Sequence, residues 1–190
     1  MKNQESSYQS GKLFIISSVA GGGKSTLISM LLKKYPNLQF SISSTTRSPR
    51  LGDIPGTSYN FIDVSTFEDG IQKDEFLEWA KVHGNYYGTP RTFINSTRDQ
   101  GKDVVLDIDV QGAKIIKEKI SDSVSIFILP PSEDVWIQRL KGRGSDSEES
   151  IQKRIINGKK ELLEQDNFDY KIVNDDLESA FNQLEKIVIR

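Results

Sequence analysis

The sequence predicts an α/β fold in which a parallel sheet is flanked by helices. Short apolar runs rich in β-branched residues alternate with segments whose apolar residues recur at helical spacing. This alternation is typical of strand–helix–strand units, which build parallel sheets. The predicted strands are LFIIS (13–17), VVLDID (104–109), VSIFILP (124–130) and YKIVN (170–174). The predicted helices are TLISMLLKKY (26–35), QGAKIIKEKI (111–120), EDVWIQRL (133–140) and LESAFNQLEKIVI (177–189).

The composition predicts a soluble protein that binds neither nucleic acid nor a membrane. Hydrophobic residues make up 36% and charged residues 27% of the 190 residues, and no apolar run approaches the length of a membrane span. The formal net charge is −2, whereas nucleic acids and anionic membranes bind basic surfaces. Because the chain has no cysteine, we expect a reducing compartment, the cytoplasm. For the oligomeric state, the sequence is compatible with a monomer and with a homo-oligomer.

Two segments differ from the predicted core in composition and in the spacing of their turn signals. Between 41 and 100, turn signals separate short aromatic-rich strands, which predicts an inserted lobe. Inside this lobe, Ser65 and Glu68 predict a capping box that opens a short helix. A polar Gly/Ser stretch followed by the helical run IQKRIINGKKELLEQ predicts a mobile helical lid over 141–165. Residues 1–10 are expected to form a flexible tail. The core is expected to comprise 11–40, 101–140 and 166–190.

The segment SSVAGGGKST (17–26) predicts a phosphate-binding loop between a strand and a helix. Three successive glycines, 21–23, let the backbone N–H groups turn inward, and the helix that follows adds the positive end of its dipole. In the pattern G-x-x-x-x-G-K-[ST], Lys24 bridges phosphates and the Ser25 hydroxyl binds Mg²⁺. Ser18 stands where the first glycine belongs. A serine there costs about 1–2 kcal/mol at positive φ and little in an extended backbone, and the sequence does not decide between these.

The segment SSTTRSPR (43–50) predicts a second anion site. Arg47 and Arg50 flank a proline that stiffens the backbone, so two planar guanidinium groups can converge on one phosphate. Further motifs follow along the chain, which are YNF (59–61), EW (78–79), GNYYG (84–88), LDIDVQG (106–112), RGSDSEES (143–150) and IVNDD (172–176).

The order of these motifs resembles the guanylate kinase family from about Leu13 to the C-terminus. The resemblance implies a P-loop nucleoside monophosphate kinase fold, in which the inserted lobe binds GMP and the lid closes over the phosphates. It implies an enzyme that transfers a phosphoryl group from ATP to GMP with Mg²⁺ as cofactor. ATP and GMP are then the expected small-molecule partners.

The resemblance also implies roles for individual residues. Four residues would hold the GMP phosphate: Arg47, Arg50, Tyr59 and Tyr87. Four others would surround the guanine: Ser43, Glu78, Thr89 and Asp109. The ATP side would consist of Ala20, Gly21, Gly22, Gly23, Lys24, Ser25, Thr26, Arg139 and Asn174. The transferring phosphoryl group would be surrounded by the catalytic residues Lys24, Arg50, Arg143 and Arg154.

The proposed chemistry explains these residue types. A carboxylate such as Glu78 accepts from both the N1–H and the 2-amino group of guanine, a donor pair that adenine lacks. The GMP phosphate is already an ionised nucleophile, so we expect no essential role for the single histidine, His83. Asp107 ends its strand as a magnesium ligand would, although a helix-capping role for Asp107 or Asp109 remains open.

Two other functions are compatible with parts of the sequence. The chain could be a guanylate-kinase-like interaction module that has lost catalysis, or a P-loop kinase for another phosphorylated metabolite. Against the module, the loop residues Lys24 and Ser25 and the arginines at 50, 143 and 154 are all present. Against another metabolite, Glu78 and the LDIDVQG run are present.

Overall fold

The structure is a computed structural model that describes residues 10–50, 52–82, 84–142 and 148–189. Arg143, a predicted site residue, and His83 lie outside the described residues. The same holds for most of the predicted tail. No helix within the described ranges is long and apolar enough to cross a membrane.

The chain divides into two compact units. The first unit comprises the chain up to Leu13 together with Asn37–Val105, and the second comprises Phe14–Pro36 and the chain from Leu106 onward. In chain order, the elements are β1 (Leu13–Ser18), α1 (Lys24–Lys34), β2 (Gln39–Ser41), β3 (Ser44–Thr45), β4 (Asn60–Phe61), α2 (Val64–Gln72), β5 (Phe76–Val82), β6 (Asn85–Pro90), α3 (Arg91–Asp99), β7 (Val104–Asp107), α4 (Val110–Lys119), β8 (Val124–Leu129), α5 (Glu133–Lys141), α6 (Glu148–Leu163), β9 (Tyr170–Val173) and α7 (Leu177–Val188).

The central sheet confirms the predicted α/β class. Its five strands lie in the order β2-β7-β1-β8-β9. Strand β8 pairs in parallel with β1, where Ile126 faces Ile16, and with β9, where Ile128 faces Ile172. All residues of β1 are buried, because a strand in the middle of a parallel sheet is covered on both faces.

The first unit contains a second sheet of four strands in the order β4-β3-β6-β5. Strand β3 pairs in parallel with β4 and antiparallel with β6, and β6 pairs antiparallel with β5. The register places Glu78 opposite Thr89 and Ala80 opposite Tyr87. Since alternate residues of a strand share a face, Glu78, Thr89 and Tyr87 lie on the same face of this sheet.

Two local expectations need correction, and one helix was not predicted. Helix α2 has no capping box of Ser65 and Glu68, because Asp63 is its N-cap and accepts from the Thr66 N–H at 2.8 Å. Strand β7 ends at Asp107 instead of Asp109, because the Asp109 side chain caps α4. Helix α3 was not predicted, because its sequence RTFINSTRD contains only two apolar residues; it buries Ile94 and Thr97.

Trp136 is the largest fully buried side chain of the described residues and packs against helix α6. It belongs to an apolar cluster with Val19, Phe127 and Leu140. On α6, a Cβ atom added to Gly158 would overlap the six-membered ring of Trp136. The glycine therefore provides the space that the tryptophan ring fills.

We expect Gly158→Ala to destabilise the protein. At an exposed helical position this change stabilises by up to about 1 kcal/mol, but here the methyl group overpacks the core at a cost of about 1–3 kcal/mol. Urea denaturation measures the free energy of unfolding. Asn157→Ala, at the exposed neighbouring position, is the matched control and should leave stability nearly unchanged. An increase in stability for Gly158→Ala would show that the ring does not fill this space.

Candidate active site

The phosphate loop, residues Ser17–Thr26, connects β1 to α1. Gly21 and Gly23 have φ of 87° and 92°, values that glycine adopts without the cost imposed by a Cβ atom. Gly23 is the N-cap of α1 and provides no side-chain cap. The first N–H groups of the helix therefore remain available to an anion.

Two donors within the loop and two from elsewhere in the chain hold carbonyl groups of this loop. The Val19 carbonyl accepts from the Gly22 N–H and from Ser18 Oγ, both at 3.0 Å. The Ala20 carbonyl accepts from Trp136 Nε1 at 2.7 Å, and the Gly22 carbonyl accepts from Asn174 Nδ2 at 3.0 Å. Carbonyl groups held in this way cannot turn toward a bound anion, which they would repel.

Ser18 occupies an extended position at the end of β1, so the missing glycine of the motif causes no backbone strain. The strand runs through Ser18, and among the described non-glycine residues only Asp74 has a positive φ. The low-cost alternative for this serine is therefore correct.

Lys24, the first residue of α1, forms an ion pair with Asp107 at the end of β7. Burial lowers the pKa of Lys24 to about 8, against the opposing attraction of Asp109 and Glu161. Burial together with the charge of Asp109 raises the pKa of Glu161 to about 7, while Lys24 counteracts this shift. The loop lysine thus lies in an acidic environment of limited solvent access, where its charge acts strongly.

The predicted residues Arg139 and Asn174 lie near the phosphate loop. Arg139, on α5, donates from Nη1 to the Asn174 carbonyl at 3.1 Å. Asn174 follows β9 and is 5% exposed. Arg154 is half-buried on α6, and the hydroxyl-bearing residues Ser25 and Thr26 are exposed in the first turn of α1. Asp109 caps α4 by accepting from the Gly112 N–H at 2.8 Å, so the helix-capping alternative holds for this residue.

In the first unit, Glu78 and Thr89 form a buried polar pair. Thr89 Oγ1 donates to Glu78 Oε1. Thr89 is 0% exposed and Glu78 is 8% exposed. Tyr87 lies on the same sheet face, and its ring contacts Tyr59 edge-on with centroids 6.0 Å apart. A carboxylate held inside a protein is costly unless hydrogen-bonded, and Thr89 fixes one of its oxygens.

Arg47 lies over the aromatic side of this cluster. Its guanidinium is 5.4 Å from the ring centre of Tyr59, a cation–π distance. Nη2 donates to Asp53 Oδ2 at 2.9 Å, and the same oxygen accepts from the Arg50 N–H at 2.7 Å. These two hydrogen bonds lower the pKa of Asp53 below its ordinary value. The side chain of Arg50 is exposed, and Ser43 lies half-buried just before β3.

The structure adds three residues that sequence reasoning missed. Trp136 lies within a predicted helix (133–140), and its hydrogen bond to the loop joins positions too far apart in the chain for a local pattern to reveal. Asp53 lies in the turn-rich segment of the predicted lobe and Glu161 in the predicted lid helix, and no motif in the sequence marks either carboxylate as a site residue.

The fold, the loop motif and the comparison with known proteins together assign the chain to a family. A parallel sheet with a glycine-rich loop, a lysine at the start of the following helix and a carboxylate at a strand end defines a phosphate-binding α/β protein of the P-loop class. The family model for guanylate kinase matches residues 10–190. The chain belongs to the guanylate kinase family.

Individual relatives are similar over most of their length. The chain is 47% identical to a guanylate kinase of Carboxydothermus hydrogenoformans, over 94% of this chain and 87% of that protein. It is 48% identical to one of Neisseria gonorrhoeae, over 96% and 89%. Among solved structures, a guanylate kinase of Anaplasma phagocytophilum matches with a TM-score of 0.77 and 32% identity, over 95% of this chain and 85% of that one.

We expect Trp136→Phe to raise the KM for ATP about three- to tenfold and to leave the KM for GMP unchanged. The phenyl ring keeps most of the packing but donates no hydrogen bond, so the Ala20 carbonyl loses its partner, and one such bond contributes about 1 kcal/mol. Steady-state kinetics with each substrate varied in turn measure both constants. Trp79→Phe, at a position 43% exposed in the first unit, is the matched control. Equal changes in both KM values would contradict a role at the loop.

Proposed function

We propose that the phosphate loop holds ATP and that the Glu78 cluster of the first unit holds GMP. As a member of the guanylate kinase family, the protein is a nucleoside monophosphate kinase that transfers the γ-phosphoryl group of ATP to GMP, giving ADP and GDP. The buried Glu78 is the observation that carries the assignment of the base site. It supplies the acceptor that the N1–H and 2-amino donors of guanine need.

The phosphate of GMP would lie at Arg47, Arg50, Tyr59 and Tyr87. Support comes from the contact of Arg47 with Tyr59 and of Tyr59 with Tyr87, together with the backbone link from Asp53 to Arg50. A guanidinium flanked by aromatic rings keeps a fixed orientation, and its planar fork matches a phosphate. Ser43 and Asp109 are proposed at the guanine on the resemblance alone.

On the ATP side, the loop N–H groups and Lys24 would bind the β- and γ-phosphates. Ser25 and Asp107 would hold Mg²⁺, since a hydroxyl and a carboxylate are the hard oxygen ligands it prefers. The described residues contain no group of three or more Asp, Glu or His that could hold a metal, and Mg²⁺ usually completes its shell with water and substrate phosphates. When bound, the ion neutralises charge on the phosphates and orients them.

Catalysis would rest on charge stabilisation. The GMP phosphate is ionised at neutral pH, so in-line attack needs no general base. What it needs is cancellation of the repulsion between two anionic substrates. Lys24, Arg50, Arg143 and Arg154 would supply this charge, and a lid over 141–165 would exclude water. We place the reaction in the cytoplasm, because the chain lacks cysteine.

A nucleotide panel tests the base site. With ATP and Mg²⁺, ADP formation should be fast with GMP and slow with AMP, CMP and UMP. Glu78→Gln should lower kcat/KM for GMP at least about 100-fold, because an amide cannot accept from both guanine donors and hydrogen bonds to a charged group contribute about 1.5–3 kcal/mol each. Glu75→Gln, at an exposed position three residues earlier, is the control. AMP preferred over GMP would reject the role of Glu78, and no turnover with any nucleotide would favour the interaction module.

Two arginine variants separate the phosphoryl site from the acceptor site. Arg143→Ala should depress kcat far more than it raises the KM for GMP, because charge on the transferring group develops in the transition state. Arg47→Ala should mainly raise the KM for GMP, because it removes ground-state binding of the phosphate. Initial rates over a range of GMP concentrations give both constants. If the two variants show the same split between kcat and KM, the assignment of separate roles is wrong.

A further inference from the structure

Two positions of the phosphate loop depart together from the usual pattern. In G-x-x-x-x-G-K-[ST], the first position is glycine and the fifth is unrestricted. Here the first position is Ser18 and the fifth is Gly22. The chain thus carries a side chain where the pattern has none, and no side chain where the pattern allows one.

The backbone explains neither departure. Ser18 is extended within β1. Gly22 is absent from the described residues with positive φ, in contrast to its neighbours Gly21 and Gly23. An alanine could therefore adopt the backbone conformation of Gly22 without strain. The reason for a glycine at this position must lie in the space around it.

That space is filled by the Ser18 hydroxyl. A Cβ atom added to Gly22 would overlap Ser18 Oγ, and it would also lie only 3.2 Å from the Val19 carbonyl oxygen and 3.3 Å from that of Ile128. The hydroxyl is 3.0 Å from the Val19 carbonyl, to which it donates. Ser18 is 9% exposed, so the pair lies in a tightly packed region where a single methyl group has a measurable effect.

We propose that Ser18 and Gly22 form a compensating pair of positioning residues for the phosphate loop. The space between the two positions holds one side chain. In this protein that side chain is Ser18, whose hydroxyl donates to the Val19 carbonyl. The Gly22 N–H donates to the same oxygen, so the turn is fixed from both ends. The inference rests on the proposed ATP site, because the anchored turn orients the N–H groups that would bind the phosphates.

A double-mutant cycle tests the pair. Gly22→Ala should raise the KM for ATP at least about tenfold, because its methyl group displaces the hydroxyl from the Val19 carbonyl. Ser18→Gly should raise it two- to fivefold through loss of one hydrogen bond. In the double variant the methyl group takes the vacated space, so the KM for ATP should return to within about threefold of wild type. The KM for GMP should stay unchanged throughout, which a general loss of structure would not allow.

The adjacent serine provides the matched control. Ser17 is fully buried, but its hydroxyl donates to the Ile108 carbonyl. Ser17→Gly should therefore not rescue Gly22→Ala. The Tm of each variant, measured without nucleotide, tests independently of ATP whether the two positions share one space. There the loss of Tm in Gly22→Ala should be partly restored only by Ser18→Gly.

The possible failures can be told apart. Additive changes in Tm, or equal rescue by Ser17→Gly, would overturn the pairing. Rescue of Tm without rescue of the KM for ATP would overturn the positioning role. A Lys24→Ala variant with the KM for ATP of wild type would instead overturn the proposed ATP site, while the Tm values would still decide whether the two positions share one space.

Discussion

The structure of this site depends on the carbonyl groups of the phosphate loop. A chain that turns its N–H groups toward an anion must direct its carbonyl groups elsewhere, and buried carbonyl groups need donors. Within the loop, the Ser18 hydroxyl and the Gly22 N–H donate to the Val19 carbonyl. The other donors come from α5 through Trp136 and from the end of β9 through Asn174. The parallel order of β1, β8 and β9 brings these positions to one edge of the sheet.

The same requirement explains where glycine occurs. Gly21 and Gly23 allow positive φ, and they also leave room for the groups that hold the loop. A Cβ atom on Gly23 would overlap the amide of Asn174, and one on Gly21 would lie 3.2 Å from Leu140. On the other side of Trp136, Gly158 gives the indole ring its space. One tryptophan therefore contacts the loop through its nitrogen and helix α6 through its ring.

The sequence predicted those features whose cause is local. Strands such as β1 (LFIISS) and β8 (VSIFIL) are mostly apolar because most of their residues are buried, and the helices around them show the spacing of one apolar side. Helix α3 was missed because only two of its nine residues, Phe93 and Ile94, are apolar, too few for a recurring apolar spacing. At the site, Lys24 and the glycines follow from a compact motif. The hydrogen bond from Trp136 to Ala20 joins residues 116 positions apart, and no local pattern encodes it.

Charge pairing would limit how strongly each of the two proposed sites attracts phosphate. Lys24 is already paired with Asp107, and Arg47 with Asp53. A phosphate that binds either cation replaces or joins an existing carboxylate, so the net gain is smaller than for an unpaired cation. In the proposed sites, selectivity would then come from geometry. The geometric features are the fork of Arg47 over Tyr59 and the carboxylate of Glu78 fixed by Thr89 in the first unit, and the N–H groups of the loop in the second. A cation that left its carboxylate for a misplaced phosphate would lose one partner without gaining aligned hydrogen bonds. Pre-organised orientation would therefore matter more than the total charge of the chain, which is only −2.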